Sequence, residues 1–131
     1  MSGALREEEL LQADPRLQQA IALFNAGEWY ACHDGFEELW HETQGPVRPV
    51  LQGILQVAVA HLHLERGNLH GATVLMGEGL GRLSGCGEEA LGLRLCLLRD
   101  GVVARLHALQ QGEDPGQLPT LRLERVATQR R

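Results

Sequence analysis

Two glycine turns constrain the fold of this chain more strongly than any other feature. Gly27 and Gly67 stand 40 residues apart, and each follows an apolar segment of helical length. Before Gly27 the apolar residues recur at three- and four-residue spacing. That spacing is typical of an amphipathic helix, and a glycine directly after it can adopt the left-handed conformation that ends a helix. A second helical pattern begins after each glycine. We therefore predict two helix–turn–helix hairpins in tandem.

The same reasoning predicts five helices. Asp14 and Pro15 have the residue types of an N-cap and a first helical position. The third helix is apolar on nearly all sides, which indicates a central helix, and no segment has the alternation of a β-strand. The predicted class is all-α, a five-helix array of two stacked, tetratricopeptide-like hairpins plus a C-terminal helix. The predicted helices cover residues 16–26, 29–43, 50–66, 70–83 and 88–111.

Glycines inside two of these helices carry further predictions. Gly77 and Gly81 lie one turn apart in the fourth helix, where each is unfavourable by about 1 kcal/mol. We expect this pair to permit a close helix crossing, within the monomer or across a dimer. Asp100 and Gly101 predict a kink or a break in the last helix.

The chain is predicted to form a single helical domain over residues 14–111. Residues 1–13 are predicted to be a flexible N-terminal arm, and residues 112–131, which mix turn signals with a basic end, an extended C-terminal tail. The three cysteines are far apart and form no C-x-x-C pair, so we expect reduced thiols.

Charge and hydropathy narrow the classes of partner. The formal net charge of −5 argues against a protein that coats nucleic acid, because phosphate binding requires a surplus of Lys and Arg. No window approaches the roughly 18 apolar residues of a membrane span. The acidic N-terminal segment has no basic region followed by an apolar run, so a cytoplasmic location is expected.

The second predicted helix and one side of the third carry most of the chemically active side chains. On the third helix, Gln52, Gln56 and His63 share a sector only about 40° wide. Because buried polar groups need hydrogen-bond partners, we predict that His33 and Glu37 lie near this stripe. His61 falls opposite the stripe and is expected to be an ordinary surface or hydrogen-bonded histidine. The candidate polar cluster is His33, Asp34, Glu37, Glu38, Gln52, Gln56 and His63, and the aromatic wall beside it is Trp29, Tyr30 and Trp40.

Two interpretations of the polar cluster remain open. In the structural one, which we favour, the side chains form a closed hydrogen-bond network that fixes how the two hairpins pack. In the functional one, His33, Glu37 and His63 supply ligands to a divalent metal, or Glu37 acts as a general base. No cofactor is predicted, and the metal belongs to the second interpretation alone.

Three motifs, taken in order, resemble the family known as domain of unknown function 309. The motifs are FNxGExYxxHDxxEExW at 24–40, LQGIxQxA at 51–58 and HxxRGNxxGA at 63–72. The family usually has glutamate where this chain has Asp34, and tends to have aspartate where it has Arg94. The resemblance implies an all-helical fold with the motif residues on facing helices, and it implies no activity.

The sequence therefore supports two hypotheses about function. The first is a non-enzymatic helical interaction or scaffold module that binds an unidentified protein partner or forms a homodimer, without nucleic acid or membrane. The alternative is a hydrolase-like enzyme that binds a metal or a small ligand through His33, Glu37 and His63.

Overall fold

A computed structural model describes residues 3–127, and it confirms the all-α class. The five predicted helices are present as α2 to α6, and an additional helix, α1, precedes them. Between α5 and α6 lies a small antiparallel hairpin that the sequence analysis did not predict. The elements are α1 Gly3–Ala13, α2 Pro15–Asn25, α3 Trp29–Glu42, α4 Arg48–Glu65, α5 Leu69–Ser84, β1 Glu89–Ala90, β2 Leu93–Arg94, α6 Leu95–Gln110 and a short 3-10 helix Pro115–Gln117.

The two glycine turns have the same geometry. Gly27 and Gly67 each have a φ of 74°, which is the left-handed conformation that their sequence context predicts. In both turns the amide after the glycine donates to the carbonyl five residues earlier, at 3.0 and 2.9 Å. Helices α2 and α3 form the first hairpin, and α4 and α5 form the second.

Helix α4 is the centre of the fold. Helices α3 and α5 flank it, and its Leu51, Ile54 and Val57 are fully buried. A helix with apolar residues on most of its sides removes them from water only if several of its faces are buried at once. The predicted central position of this helix is therefore confirmed.

Helices α4 and α5 approach each other closely where they cross at Gly53 and Gly79. A Cβ atom on Gly79 would lie 3.0 Å from the carbonyl oxygen of Gly53 and 3.0 Å from a methyl group of Val57. By contrast, a Cβ on Gly77 or Gly81 would have no neighbour within 4 Å among the residues that the structure describes. The predicted crossing within the chain at Gly77 and Gly81 is therefore wrong. A contact of that pair between two copies stays a prediction.

The segment before α6 corrects the predicted start of the last helix. Residues 89–94 form the β-hairpin, and α6 begins at Leu95 rather than at residue 88. The hairpin turns at Leu91 and Gly92, whose φ values of 55° and 72° are both positive. Positive φ at two successive residues is the geometry of a tight hairpin turn, and it is unusual for leucine. Leu91 is nevertheless buried, and its amide donates to the Glu8 carboxylate at 2.7 Å.

The C-terminal segment packs against the helices. Asn25 pairs with Leu123 through two hydrogen bonds, of 3.0 and 2.7 Å. Leu121 is buried above Gly101, where a side chain on α6 would collide with it. Helix α6 runs unbroken through Gly101, so the predicted break is wrong, while the predicted kink stays a prediction. The glycine makes room for Leu121.

The N-terminal segment is helical and joins the core through Leu11, which is buried. Glu7 accepts hydrogen bonds from the amides of Gln44 and Gly45 in the loop before α4. The division into arm, domain and tail stays a prediction, with residues 1–2 and 128–131 outside the described part. No helix within residues 3–127 is both long and apolar enough to cross a membrane.

His61 links the two hairpins from the buried side of α4. Its ring stacks on Trp29 of α3 with centroids 4.0 Å apart, and its Nδ1 lies 2.8 Å from the carbonyl of Val57. Burial, with a further contribution from the charge of Arg105, lowers the pKa of His61 to about 4. The imidazole is therefore neutral at pH 7.

Adding one methyl group at the helix crossing tests its closeness. We expect Gly79→Ala to lower the free energy of unfolding by about 1–3 kcal/mol, because the new Cβ overpacks the contact with Gly53 and Val57. The matched control Gly77→Ala, two residues earlier on the other side of α5, should raise stability by roughly 0.5–1 kcal/mol, since alanine favours the helix and meets no described neighbour within 4 Å. Urea denaturation measures both, and equal effects would contradict the assigned crossing.

Acid should destabilise the protein through His61. Its folded pKa lies below the unfolded value of 6.5, so the unfolded state takes up the proton first as pH falls. The free energy of unfolding should therefore decrease between about pH 6.5 and pH 4, by on the order of 3 kcal/mol at most. Urea denaturation across this range should show the loss diminished in His61→Gln and retained in the exposed control His70→Gln. An identical pH profile for His61→Gln and wild type would refute this assignment.

Candidate functional site

Helix α3 presents a polar face to solvent because its apolar residues all fall on the opposite side. Cys32, Phe36 and Leu39 are fully buried, so His33, Glu37 and Tyr30 lie on the remaining, outward sector of the helix. We call Tyr30, His33, Asp34, Glu37 and His41 the outer face of α3. Three of these five belong to the predicted polar cluster.

His33 stands between two carboxylates. Its Nε2 lies 3.1 Å from an oxygen of Glu37, one turn along the helix, and its Nδ1 lies 3.3 Å from an oxygen of Asp34. The contact of Nδ1 with Asp34 has the distance of an ion pair but not the geometry of a hydrogen bond. Nδ1 itself is buried. The side chains of Glu37 and Asp34 are 45% and 62% exposed, so both acids remain available to a cation from solvent.

Glu38, also assigned to the polar cluster, lies on a different side of α3. Its carboxylate is 2.7 Å from Arg16 of α2, which also contacts Glu42 at 2.8 Å and Asp14 at 2.9 Å. Hydrogen bonds from the Arg16 guanidinium lower the pKa values of Asp14 and Glu42. Arg16 therefore clamps the two helices of the first hairpin together, a role that the sequence analysis did not recognise.

Gln56 and His63 of the α4 stripe form hydrogen bonds with α5 and with the N-cap residue of α5. Gln56 accepts a hydrogen bond from Arg82 at 3.0 Å and donates to Glu78 at 3.4 Å. His63 accepts from Asn68, the N-cap of α5, at 3.0 Å, while Gln52 is half-buried on the same side of α4.

The predicted closed network between His33, Glu37 and the α4 stripe is therefore wrong. Within residues 3–127, no hydrogen bond joins these two residues to Gln52, Gln56 or His63. Trp29 of α3 instead stacks on His61. His61 lies on the side of α4 opposite to the stripe. Assignment of the cluster as a functional site stays a prediction.

The three residues of the predicted aromatic wall occupy three different environments. Trp29 is half-buried and also meets Phe24 edge to face at 5.0 Å. Trp40 lies under the Arg48 guanidinium at 4.2 Å, and its indole N–H is buried without a partner in the described part of the chain. Tyr30 alone is well exposed, at 63%.

The described side chains do not form a preformed metal site. Among residues 3–127, no three His, Cys, Asp or Glu side chains are placed to hold one ion. His33 and Glu37 contact each other on α3, while His63 is bonded to Asn68 beyond the end of α4. The arrangement on α3 is suited to a cationic group of a partner molecule, which two half-exposed carboxylates can pair with directly.

Arg105 is a buried residue that the sequence analysis missed. It lies on α6 and is only 7% exposed. The available signal was its register, because Leu98, Val102 and Arg105 recur at four- and three-residue spacing on the buried side of the helix. An arginine in an apolar register indicates a buried charge.

The comparisons with known proteins come from a family model and a search of curated proteins. The search finds no curated protein that matches the chain. The family model described as Domain of unknown function (DUF309) matches residues 17–75, which run from α2 into α5 and include both glycine turns, His33 and Glu37. This match supports the resemblance seen in the motifs and extends over residues 17–75.

Proposed function

We propose that this chain is a non-enzymatic helical interaction module that binds a Lys- or Arg-bearing segment of a partner protein on the outer face of α3. The observation that carries the proposal is the exposed ring of Tyr30 beside two carboxylates, those of Asp34 and Glu37, that pair with no arginine in the described part of the chain. The centroid of the Tyr30 ring lies 6.1 Å from that of His33, which contacts both Asp34 and Glu37. Tyrosines of this kind are common anchors of protein interfaces, since they offer a large contact area with a polar tip.

Charge complementarity indicates the chemistry of the partner. Among residues 3–127, no Lys or Arg nitrogen lies within 4 Å of the carboxylates of Asp34 or Glu37. Glu38 and Glu42, on the adjoining side of α3, are instead both paired with Arg16. The outer face therefore retains negative charge that a basic segment can pair with, which favours both encounter and specificity.

Rigid support of α3 adds to this proposal. The helix is clamped to α2 by Arg16 and to α4 by the Trp29–His61 stack, so the outer face needs little ordering upon binding, which favours affinity.

The three cysteines are free thiols, in keeping with a reducing compartment. We therefore place the module in the cytoplasm.

Binding of basic peptides tests the proposal. An array of Lys- and Arg-rich peptides should bind the wild-type protein, and binding should weaken with added salt because the charged face is exposed. Tyr30→Ala and Glu37→Gln should each reduce affinity at least about tenfold, as expected for loss of an anchor or of a desolvated charge pair. The control Val74→Ala alters an apolar residue of α5 that is 46% exposed and should bind like wild type.

Three results would contradict this function. No basic peptide binds above its charge-reversed counterpart, Tyr30→Ala binds as well as wild type, or binding requires an added divalent cation. Light scattering identifies the remaining case, in which the outer face is occupied by a second copy of the chain, because the wild-type protein would then be a dimer and Tyr30→Ala a monomer.

A further inference from the structure

A pocket of about 180 Å³ lies under the C-terminal segment, away from the outer face of α3. Three helices contribute to it through Trp29, His61 and Arg105, and the segment that follows α6 lines its remaining side with Leu118 and Leu121. This pocket takes no part in the proposed function, and the following inference stands independently of it.

Arg105 brings an uncompensated positive charge to this pocket. Its Nη2 donates to the carbonyl of Pro119 at 2.6 Å, and its Nη1 lies 3.5 Å from the carbonyl of Gly101. Within residues 3–127, no carboxylate lies within 4 Å of the guanidinium and no acidic side chain lines the pocket. Carbonyls satisfy N–H groups but do not neutralise the charge, and a buried unpaired charge is unfavourable. An anion in the pocket would remove that penalty.

His61 also lines the pocket, and its hydrogen bond to Val57 fixes the tautomer of the ring. The carbonyl of Val57 can only accept, so the Nδ1 of His61, 2.8 Å away, must donate. The other ring nitrogen, Nε2, is then an acceptor. Burial lowers the pKa of His61 to about 4, so the neutral ring does not oppose Arg105 at pH 7.

The remaining lining is apolar and sets the size of the ligand. Leu64, Leu118 and Leu121 join the indole of Trp29 around the pocket. An apolar cavity of about 150 Å³ is large enough for benzene, so a pocket of about 180 Å³ holds one ring with one small substituent. We propose that this pocket binds a small carboxylic acid with an apolar body of one ring, whose carboxylate pairs with the guanidinium of Arg105.

Benzoate is a suitable probe, and tryptophan fluorescence is a local readout. The chain has two tryptophans, so Trp40→Phe leaves Trp29, on the wall of the pocket, as the only one. Benzoate should change the Trp29 emission saturably, and calorimetry on the wild-type protein should give the same affinity. Benzamide, which has the same shape without the charge, should bind at least about tenfold more weakly, the factor expected from losing a charge-assisted hydrogen bond.

Substitution of Arg105 tests the charge. Arg105→Met removes the cation and leaves an unbranched apolar side chain in its place. Benzoate affinity should therefore fall at least about tenfold, while benzamide affinity should not fall. The matched control is Arg99→Met, on the same helix, where the arginine also donates to carbonyls, those of Leu83 and Gly87. Arg99→Met should bind benzoate like wild type.

A second variant decides the outcome if Arg105→Met fails to fold. Leu118→Trp enlarges a half-exposed residue of the covering segment, fills the pocket and leaves every charge in place. It should abolish benzoate binding with an unchanged circular dichroism spectrum. Absence of benzoate binding to the wild-type protein, or wild-type affinity in either Arg105→Met or Leu118→Trp, would overturn the proposal.

Discussion

The backbone contact between Gly53 and Gly79 is the constraint on which the rest of the structure depends. It brings α5 so close to α4 that neither position has room for a Cβ atom, and α4 is thereby held between α5 and α3. Packing at this density fixes side chains on every face of the central helix. His61 is consequently buried on one side of α4, against Trp29, while Gln56 stays within reach of Arg82 on another.

The hairpins could be predicted because their signals are local. The glycine turns, the Asp14 cap and the spacing of apolar residues each involve neighbours within a few residues, and the structure confirms them. The hairpin before α6 could not be predicted, since a left-handed Leu91 depends on Glu8, 83 residues away. The packing of the C-terminal segment likewise depends on Asn25, 98 residues from Leu123. Contacts of this range leave no periodic trace in a single sequence.

The sequence predicts which residues share a face of α3, but it does not predict which polar groups form hydrogen bonds across helices. Helical periodicity places His33, Glu37 and Tyr30 on one sector of α3, as the structure has them. Which polar groups pair across helices depends on how each helix is rotated about its axis, and a sequence does not specify that rotation. Gln56 and His63 therefore found partners on α5 and its cap instead of α3. Arg105 was missed although its register on α6 points inward, because arginine is seldom buried and so does not mark a core position in a sequence.

The outer face of α3 lies in solvent and is not a structural junction between the hairpins, and the proposed binding of a basic segment requires this exposure. A double-mutant cycle of His33→Ala and Glu37→Ala, with stability measured by urea denaturation, tests it most directly because the cycle isolates the coupling of the pair from lost packing. A half-exposed pair one turn apart on a helix should couple by less than about 0.5 kcal/mol. A coupling energy of about 1–3 kcal/mol, as expected for a buried polar network, would contradict the claim.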